Sequence, residues 1–479
     1  MDYVKLGVKA GLEIHQQLDT KEKLFSSAPA YLRSDKADFT IKRKLHAIAG
    51  EAGKIDAAVK HEASLDKEFL YEVHKDTTSL VEIDEEPPKM INQEALEEAL
   101  KIALLLNCEI YQHGQIMRKT VIDGSNTSGF QRTVLIGHDG YVETSFGKVP
   151  VDTVVLEEDS ARIVSKDEKI SVYRLDRLGI PLVEIATSAA LKNPEQIKET
   201  ALKIGEILRV CKVKRGIGTI RQDLNISIKG HDRVEIKGFQ DPKMMIQTAD
   251  KEIERQIEDI NSGKTNGEVR QALETGETKF MRPMPGKFRM YPETDLPLLY
   301  ISLDLINHMK KNLPKMRHDI RDELKKKGLN DEMIKLILDE NLDEFEVLLR
   351  VYEKDANLVA KLVVLWPREI ATKNNVSYEE VRKVLTESIL EKVLEALKQG
   401  KISEGDIKKV LNEVYSGKSI DKALIIEKMD DSDIEEKIAQ IVKEKPGLRA
   451  NAYMGLVIQK LGPNVDKRRA MEILNKIVS

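Results

Sequence analysis

The spacing of apolar residues changes near Pro297, and this change limits the fold of the chain more than any other feature. From Tyr3 to about Tyr300, short runs of alternating apolar and polar residues indicate β-strands separated by turns. Beyond Pro297, apolar residues recur at helical spacing almost without interruption. We therefore expect a β-rich part followed by a helical part. The glycine-bearing stretches that indicate turns are Asp123-Gly124, His138-Asp139-Gly140 and Gly230-His231-Asp232.

Two helical patterns interrupt the β-rich part, from about Gln93 to Leu106 and from about Pro194 to Val210. This mixture predicts an α+β domain with mixed sheets and a few helices over residues 1–300. An all-α helical domain is expected over residues 301–420, and a small α-helical tail domain over residues 421–479. The tail begins with a capping-box pattern, Ser432 and Glu435. Its apolar stripe is Ile434, Ile438, Ile441 and Val442.

Composition excludes several classes of protein. Hydrophobic residues make up 41% of the chain, enough for folded cores, and the net charge of −4 argues against a surface that coats nucleic acid everywhere. The two cysteines, Cys108 and Cys211, are too few for a disulfide framework or a thiolate zinc site. With neither a signal-type segment nor a membrane-length apolar run, the sequence predicts a cytoplasmic protein without membrane contact.

The first candidate site lies on the opening strand Gly11-Leu12-Glu13-Ile14-His15. Alternation places Glu13 and His15 on one face, where a carboxylate and an imidazole can converge on one cation. A solvated strand face explains this short stretch equally well.

Two later strands carry acidic residues whose negative charge needs a nearby cation or water. Glu157, Glu158 and Asp159 follow one another directly after an apolar run, which is unfavourable unless cations or water screen them. If the strand continues, Glu157 and Asp159 share one face and Glu158 lies on the other, and parity does not decide which side faces the site. A plain acidic turn is the alternative. Glu184 interrupts the apolar strand Gly179–Ile185, where either a cation or an ion pair would account for it.

A further strand, Arg221–Ile228, alternates so that four polar residues of different types share one face. Such a face is more typical of a wall that contacts a ligand than of a wet surface. After a turn, Glu235 and Lys237 follow on the next strand. Carboxylates at these positions suit a hard cation such as Mg²⁺ together with nucleotide phosphates. The four residues of the polar face are Arg221, Asp223, Asn225 and Ser227.

The segment Arg118–Arg132 is rich in glycine and hydroxyl groups but does not match a P-loop, since it lacks the Gly-Lys-Ser/Thr ending. The cationic residues Arg118, Lys119 and Arg132 in it are candidates for holding a phosphate or carboxylate. An ordinary connecting loop is the alternative.

Taken in order, these segments resemble the GatB/GatE family, the tRNA-handling subunits of tRNA-dependent amidotransferases. The resemblance covers nearly the whole chain, and two segments, Met117–Thr133 and Arg289–Asp295, are similar to GatE, the archaeal type. The motifs that carry it are Gly11-Leu12-Glu13-Ile14-His15, Leu156-Glu157-Glu158-Asp159, Pro181-Leu182-Val183-Glu184-Ile185 and Arg221-Gln222-Asp223-Leu224-Asn225-Ile226-Ser227.

The resemblance implies a cradle-shaped α+β domain in which ATP phosphorylates the glutamyl carboxylate of glutamyl-tRNA(Gln), and ammonia then displaces phosphate. It implies a carbon–nitrogen ligase with glutamine as amide donor and an asparaginase-like amidase partner, GatD, in a heterotetramer of two copies of each subunit. It assigns Mg²⁺ to Glu13, His15, Glu184 and one of Glu157 or Glu158, of which we take Glu158 as the expected ligand. These five residues are the expected catalytic set.

The sequence departs from the family pattern in two places. GatE proteins carry an inserted domain before the segment at Met281, for which residues 261–267 leave no room, and an early cysteine position reads Ser26-Ser27. Two rival functions remain. One is a non-catalytic tRNA-binding module that has kept the fold, and the other is a self-contained Mg²⁺-dependent phosphotransferase or hydrolase, which the absence of a P-loop and of a nucleophile–base pair opposes.

The tail is locally basic. Between Lys443 and Ser479 it holds eight basic and three acidic residues inside a chain of net charge −4. The resemblance implies that this tail contacts the tRNA body, whereas a solvated helix face is the alternative. The expected tRNA-binding residues are Lys445, Arg449, Lys467, Arg468 and Arg469.

Overall fold

A computed structural model of the protein describes residues 1–47, 53, 55, 57–239, 241–284, 290–425, 431–461 and 467–478. The chain divides into two compact units, Met1–Met316 and Arg317–Ser479, which are described separately. The first unit holds all the strands of the described residues, and the second is helical. This confirms the predicted order of an α+β part followed by helices.

The strands of the first unit form one large mixed sheet and two small ones. The large sheet has the order β15-β14-β13-β12-β1-β11-β8-β7-β6-β16, with β4 beside β7; a four-stranded sheet has the order β2-β3-β10-β9, and β17 pairs with β5. The strands are β1 (Lys9–Gln17), β2 (Phe39–Arg43), β3 (Glu68–Val73), β4 (Glu109–Ile110), β5 (His113–Gly114), β6 (Met117–Thr120), β7 (Phe130–Thr144), β8 (Gly147–Glu158), β9 (Arg162–Lys166), β10 (Ile170–Arg174), β11 (Pro181–Thr187), β12 (Ile220–Ser227), β13 (Val234–Lys237), β14 (Glu268–Ala272), β15 (Thr278–Pro283), β16 (Met290–Pro292) and β17 (Leu299–Tyr300).

Helices pack on one face of the large sheet in the first unit and make up the whole of the second. Two π-helical turns, Ile337–Asn341 and Lys361–Leu365, interrupt the second unit. The helices are α1 (Tyr3–Leu6), α2 (Ala57–Ser64), α3 (Gln93–Leu105), α4 (Pro194–Arg209), α5 (Pro242–Asn261), α6 (Leu303–Lys311), α7 (Arg317–Lys326), α8 (Asp331–Leu336), α9 (Leu342–Val351), α10 (Ala356–Ala360), α11 (Trp366–Asn374), α12 (Tyr378–Val384), α13 (Glu387–Lys398), α14 (Glu404–Tyr415), α15 (Ile420–Ala423), α16 (Asp431–Glu444), α17 (Ala450–Leu461) and α18 (Lys467–Val478).

Both helices predicted within the β-rich part form, and each begins at an asparagine cap. Asn92 accepts a hydrogen bond from the backbone N–H of Ala95, and Asn193 accepts one from Gln196. Their buried faces join a core that continues through the strands β1, β8, β11 and β12. This core fixes one face of the central strands, so that the polar side chains of those strands point to the other face.

The turn predicted at His138–Gly140 is wrong, because these residues lie inside the long strand β7. The glycines serve close packing instead. A Cβ on Gly140 would lie 2.4 Å from the sulfur of Cys108, and one on Gly137 would lie 3.0 Å from the Cys108 Cβ. The end of α3 therefore approaches β7 at a distance that only glycine permits.

The first unit extends to Met316 because α6 adds Ile306 and Met309 to its core. In the second unit the helices α7–α15 share one apolar cluster, and α16–α18 share another. The predicted stripe residues Ile434, Ile438 and Ile441 are buried in that last cluster. The side chain of Ser432 lies outside the described residues. The division into three domains at residues 300 and 420 stays a prediction.

Among the described residues, every helix is too short or too polar to cross a lipid bilayer.

Candidate functional site

Four neighbouring strands bring the predicted acidic residues together on one face of the large sheet. In the register of β1 and β12, Glu13 lies opposite Asp223. In the register of β1 and β11, His15 lies opposite Glu184. The next strand, β8, places Glu157 opposite Leu182 of β11. Since residues directly opposite one another share a face, these side chains converge.

The imidazole of His15 is at the centre of this acidic cluster. Its Nε2 lies 3.2 Å from Glu184 Oε2, 3.5 Å from Glu13 Oε1 and 3.8 Å from Glu157 Oε1. One ligand atom from each of Glu13, His15 and Asp223 lies within 4.8 Å of the other two, and so does one from each of His15, Glu157 and Glu184. These two overlapping groups have the size of a cation site.

The ammonium group of Lys119 reaches the same cluster from β6. It lies 2.8 Å from Glu157 Oε2 and 3.6 Å from Glu184 Oε2. The sequence predicted that Lys119 holds a phosphate or carboxylate, and the structure places it against two of the protein's own carboxylates. It therefore already neutralises part of their charge.

Mutual interactions shift the pKa values of the cluster in opposite directions. Burial, followed by repulsion from Glu184, raises the pKa of Glu13 to about 7. Burial also acts to raise the pKa of Glu184, but Lys119 and the hydrogen bond from His15 outweigh it and hold that pKa well below its usual range. Burial disfavours the charged form of His15, yet the carboxylates around it raise its pKa to about 9. The cluster thus retains protons near neutral pH that a bound cation would replace.

Three consecutive acids stand where β8 ends, and each of them lies beside a different cationic residue. Glu157 faces Lys119 and His15, whereas Glu158 lies on the opposite face and accepts a hydrogen bond from the backbone N–H of Arg132, 3.0 Å away. Asp159 accepts one from Arg221 at 2.9 Å and one from Gln17 at 2.6 Å. Strand alternation therefore brings Glu157 to the cluster and turns Glu158, the expected ligand, to the other face, and which of the two acids holds a metal stays a prediction.

Arg118 and Arg132 meet Glu293 rather than the cleft. Arg132 Nε lies 2.8 Å from Glu293 Oε2, and Arg118 Nε lies 2.9 Å from the same oxygen. The side chain of Glu293 is fully buried, so both guanidinium groups belong to an internal ion network. Their predicted contact with phosphate has no support from this geometry. The sequence analysis included Glu293 in the segment Arg289–Asp295 but gave it no role, since nothing in the local pattern shows that its partners are Arg118 and Arg132.

The acidic cluster forms part of the floor of an open cleft of about 900 Å³. This volume lies within the range of pockets that hold nucleotide-sized ligands. Of the polar strand face, Arg221 and Asp223 line the cleft, while Asn225 and Ser227 lie further along β12 opposite Gly11 and Lys9. Glu235 and Lys237, which the sequence placed on the following strand, also line the cleft. The lining residues to which the sequence gave no ligand role include Ser125, Ser160, Arg177, Tyr173, Arg233 and Arg282.

A second partly buried lysine accompanies the acids at the β12–β13 end of the cleft. Lys237 Nζ lies 2.7 Å from Asp223 Oδ2 and 2.7 Å from Glu235 Oε1. Burial lowers the pKa of such an amine, but the two carboxylates outweigh it and raise the pKa of Lys237 above its ordinary value. The cleft therefore alternates carboxylates with ammonium groups, which suits a ligand that carries both phosphates and a divalent cation.

The predicted tRNA-binding residues of the tail are only partly described. Lys445 and Arg449 are exposed, and the guanidinium of Arg469 lies 3.0 Å from Glu472 Oε2 on the surface of α18. The side chains of Lys467 and Arg468 lie outside the described residues. The structure thus leaves at least two cations of the tail open to solvent.

Comparisons with known proteins place this site in a known family. The model of the GatB/GatE catalytic domain matches residues 8–307. The chain is similar to the glutamyl-tRNA(Gln) amidotransferase subunit GatE of Methanocaldococcus jannaschii, 33% identical over an alignment of 634 positions that covers 99% of each chain. It is also similar to the GatE protein of Pyrococcus furiosus, 34% identical over 87% of this chain and 92% of that protein. The first alignment exceeds the 479 residues of this chain, so it includes positions that this chain lacks.

Proposed function

We infer, since this chain belongs to the GatB/GatE family, that it is the tRNA-handling subunit of an amidotransferase that forms glutaminyl-tRNA(Gln) from glutamyl-tRNA(Gln). The observation that carries the inference is the arrangement of Glu13, Glu157 and Glu184 around His15, with Glu13, His15 and Glu157 lining the cleft. Carboxylates brought together from three separate strands cost stability unless they serve a cation or a substrate.

The proposed reaction has two steps. The γ-phosphoryl group of ATP is first transferred to the side-chain carboxylate of the glutamate on the tRNA, because a carboxylate is a poor acyl donor until one oxygen becomes a leaving group. Ammonia then forms the carbon–nitrogen bond and phosphate leaves. Such a transfer depends mainly on positioning and on stabilising negative charge.

Mg²⁺ fits the acidic cluster, because its preferred ligands are carboxylate oxygens and water. We assign its ligands to Glu13, Glu157 and Glu184 among the described residues. Bound there, Mg²⁺ would stabilise the negative charge on the phosphate oxygens during transfer of the phosphoryl group. His15 Nε2 lies 3.2 Å from Glu184 Oε2, so the imidazole can orient that ligand through a hydrogen bond.

Lysine and arginine side chains of the cleft position the phosphates of ATP in this proposal. Lys119 and Lys237 stand on opposite sides of the acids, and each could shift one hydrogen bond from a carboxylate to a phosphate oxygen without leaving the cleft. Arg221 is fixed by Asp159, so its guanidinium stays beside the cleft as a preorganised donor.

Ammonia is proposed to come from a separate amidase of the GatD type, with two copies of each subunit in the complex. Both cysteines of this chain are buried, and burial raises the pKa of each thiol to about 12, which suppresses the thiolate that a cysteine-type amidase needs. The sequence also shows no Thr-Lys arrangement of the kind that would serve a hydroxyl nucleophile. We therefore expect the chain alone to release no ammonia from glutamine or asparagine.

Reconstitution tests this function. The purified chain, glutamyl-tRNA(Gln), ATP and Mg²⁺ are incubated with ammonium chloride, and the aminoacyl group is identified after hydrolysis of the tRNA. Formation of glutamine only when ATP is present supports the proposal. Tight tRNA binding with no ATP consumption in the presence of ammonium would instead favour a non-catalytic tRNA-binding module.

A further inference from the structure

Two arginines from different parts of the chain, Arg177 and Arg221, line the cleft that holds the acidic cluster. Arg221 belongs to β12 and lies directly opposite His15 of β1. Arg177 lies in the connection between β10 and β11. Since residues directly opposite one another in an antiparallel pair have Cβ atoms about 5 Å apart, Arg221 stands immediately beside the centre of the cluster.

One fully buried carboxylate, that of Asp159, holds both guanidinium groups. Its Oδ1 lies 2.9 Å from Arg221 Nη2, and its Oδ2 lies 3.7 Å from Arg177 Nε. Arg177 also donates hydrogen bonds to the carbonyl oxygens of Ser160, at 2.7 Å, and Ala161, at 2.9 Å. The side chains of Arg221 and Arg177 are only 31% and 22% exposed. Each guanidinium is therefore held in one orientation beside the other.

Three N–H-bearing nitrogens of this pair are left without an acceptor. Among the described residues, neither Nε nor Nη1 of Arg221 donates a hydrogen bond, and the same is true of Nη1 of Arg177. All three nitrogens are accessible to solvent, and the side chains that carry them line the cleft. Donors that are fixed in advance and open to a cleft are suited to bind an anion there.

The charges at this end of the cleft also favour an anion. Asp159 is shared by two arginines, and Asp176, a second acid whose charge reaches Arg177, is paired with Arg162. Burial lowers the pKa of Arg177, Asp159 opposes that shift, and the charge of Arg221 adds to it. A negative group between Arg177 and Arg221 would relieve their repulsion.

We propose that Arg177 and Arg221 form the binding site for the side-chain carboxylate of the glutamyl group, an inference that rests on the proposed function. Arg221 donates to this carboxylate and to the phosphates, whereas Arg177 donates to the carboxylate alone. Phosphoryl transfer requires the attacking carboxylate oxygen to lie about 3.5 Å from the phosphorus atom. The position of Arg221 opposite His15 brings the carboxylate to the cluster where the cation and the phosphates are proposed to bind.

Amidation removes the charge that this carboxylate site recognises. A carboxylate accepts charge-assisted hydrogen bonds from both arginines, whereas the side-chain amide of glutaminyl-tRNA(Gln) is uncharged and carries a donor where two donors already stand. The site therefore distinguishes substrate from product, and the loss of charge favours release of the product.

Binding of the two aminoacyl-tRNAs to the full chain, with Mg²⁺ and without ATP, tests the carboxylate site in the absence of chemistry. Because glutamyl-tRNA(Gln) and glutaminyl-tRNA(Gln) share one tRNA, the ratio of their dissociation constants reports the side chain alone. We expect the unmodified chain to prefer glutamyl-tRNA(Gln) by at least about 10-fold, as for hydrogen bonds to a charged group. Arg177→Gln and Arg221→Gln should each lower this preference at least about 5-fold and leave the affinity for uncharged tRNA(Gln) unchanged.

Arg233→Gln is the matched control, because it removes the same charge from another part of the cleft. Val234, the next residue, pairs with Ile226, so Arg233 lies about 20 Å along β12 from Arg221. This variant should keep the preference. Circular dichroism checks the fold, and Arg177→Gln decides the test if Arg221→Gln does not fold, since it keeps the ion pair between Arg221 and Asp159.

A non-hydrolysable ATP analogue with Mg²⁺ distinguishes a carboxylate from a phosphate as the occupant. Its affinity should be unchanged in Arg177→Gln. The proposal is wrong if the analogue binds more weakly to Arg177→Gln while the preference between the two aminoacyl-tRNAs stays. Equal affinity of the unmodified chain for both aminoacyl-tRNAs, an unaltered preference in Arg177→Gln, or an equal loss in Arg233→Gln would overturn it as well.

Reconstitution with ammonium separates this inference from the proposed function. If the unmodified chain forms glutaminyl-tRNA(Gln) but shows no preference, the carboxylate site is wrong and the function stands. A preference that depends on Arg177, in a chain that forms no glutaminyl-tRNA(Gln), would support the carboxylate site and refute the proposed reaction.

Discussion

The three consecutive acids Glu157, Glu158 and Asp159 each meet a cation that a different strand supplies. Glu157 meets Lys119 of β6, Glu158 meets Arg132 of β7, and Asp159 meets Arg221 of β12. Three adjacent acids therefore avoid one another by pointing to three separate partners. Their functions follow from this geometry, since only Glu157 of the three lies beside His15.

The first prediction concerns the acids of the cluster. Glu13→Gln, Glu157→Gln and Glu184→Gln should each lower ATP-dependent phosphoryl transfer by about 100-fold or more, because the amide keeps the shape but loses the charge that serves the cation. Folding and tRNA binding should stay near normal. Single-turnover assays with radiolabelled ATP measure the transfer, and circular dichroism checks the fold. Full activity in all three variants would refute the metal assignment.

Glu158→Gln provides the contrast, because Glu158 lies outside the cluster. Burial raises the pKa of Glu158, and Arg132 opposes that shift. The Glu158 carboxylate lies 3.4 Å from Arg132 Nη1 in an internal ion pair. Removing it should destabilise the protein by about 3 kcal/mol, as for other broken buried pairs. Transfer at low temperature, where the variant is folded, should remain within about 10-fold of normal. Loss of transfer in a stably folded Glu158→Gln variant would return this residue to the metal set.

A second prediction at this scale concerns Glu293. Burial would raise the pKa of Glu293, but Arg118, the backbone N–H of Asp295 and Arg132 outweigh it and hold that pKa below its ordinary value. Such a group stabilises the fold above its unfolded pKa, about 4.3, and the stabilisation is lost as the pH falls through the folded value. Glu293→Gln should therefore cost about 3 kcal/mol at pH 7 and less below pH of about 4. Urea denaturation at both pH values measures it, and a cost independent of pH would contradict it.

At the scale of single elements, the position of Gly11 explains how β1 delivers the cluster. A Cβ on this residue would lie 2.9 Å from the carbonyl oxygen of Thr187 and 3.0 Å from that of Ser188. The strand therefore approaches the end of β11 more closely than any side chain allows. Because Glu13 and His15 follow on the same strand, a shift at Gly11 is carried into the site.

We predict that Gly11→Ala destabilises the first unit by about 1–3 kcal/mol and also lowers phosphoryl transfer at temperatures where the variant is folded. Gly455→Ala in α17 is the matched control. Of the described atoms, none lies within 4 Å of the added Cβ, so this change should be neutral or stabilising by up to about 1 kcal/mol. Thermal unfolding measures the stability of both variants, and the phosphoryl-transfer assay measures their activity. Normal stability of Gly11→Ala would show that β1 and β11 can separate without cost.

Local patterns in the sequence predicted the elements better than they predicted the contacts between elements. The faces of β1 and β12 follow from alternation alone, and α3 and α4 follow from the spacing of apolar residues. The position of Lys119 beside Glu157 does not follow from a local pattern, because it depends on the register of β6, β7 and β8. The same holds for Glu293, whose partners lie more than 150 residues earlier in the chain.

At the scale of the whole molecule, the charge of the chain is unevenly distributed. The first unit concentrates buried acids at its cleft, whereas the region from Lys443 to Ser479 carries eight basic and three acidic residues. A protein of net charge −4 repels a polyanion over most of its surface, so a local basic region is needed to hold one. This division predicts that binding of the tRNA body and chemistry at its end depend on different residues.

The last prediction tests this division through the tail. Replacing Lys467, Arg468 and Arg469 by alanine should weaken tRNA binding, and the dependence of log Kd on log salt should become shallower by about one for each phosphate that the variant no longer binds. Phosphoryl transfer at saturating tRNA should persist, since the acidic cluster and Lys119 lie in the other unit. Arg469 also pairs with Glu472, an exposed pair of little energetic weight, so α18 should remain folded in the variant. Lys401→Ala, which removes an exposed lysine between α13 and α14, is the control and should leave the salt dependence unchanged. Titrations at several salt concentrations give both quantities. An unaltered affinity and slope in the triple variant would mean that the basic residues of the tail are an ordinary solvated surface, and that the cleft itself provides the contacts that hold the tRNA.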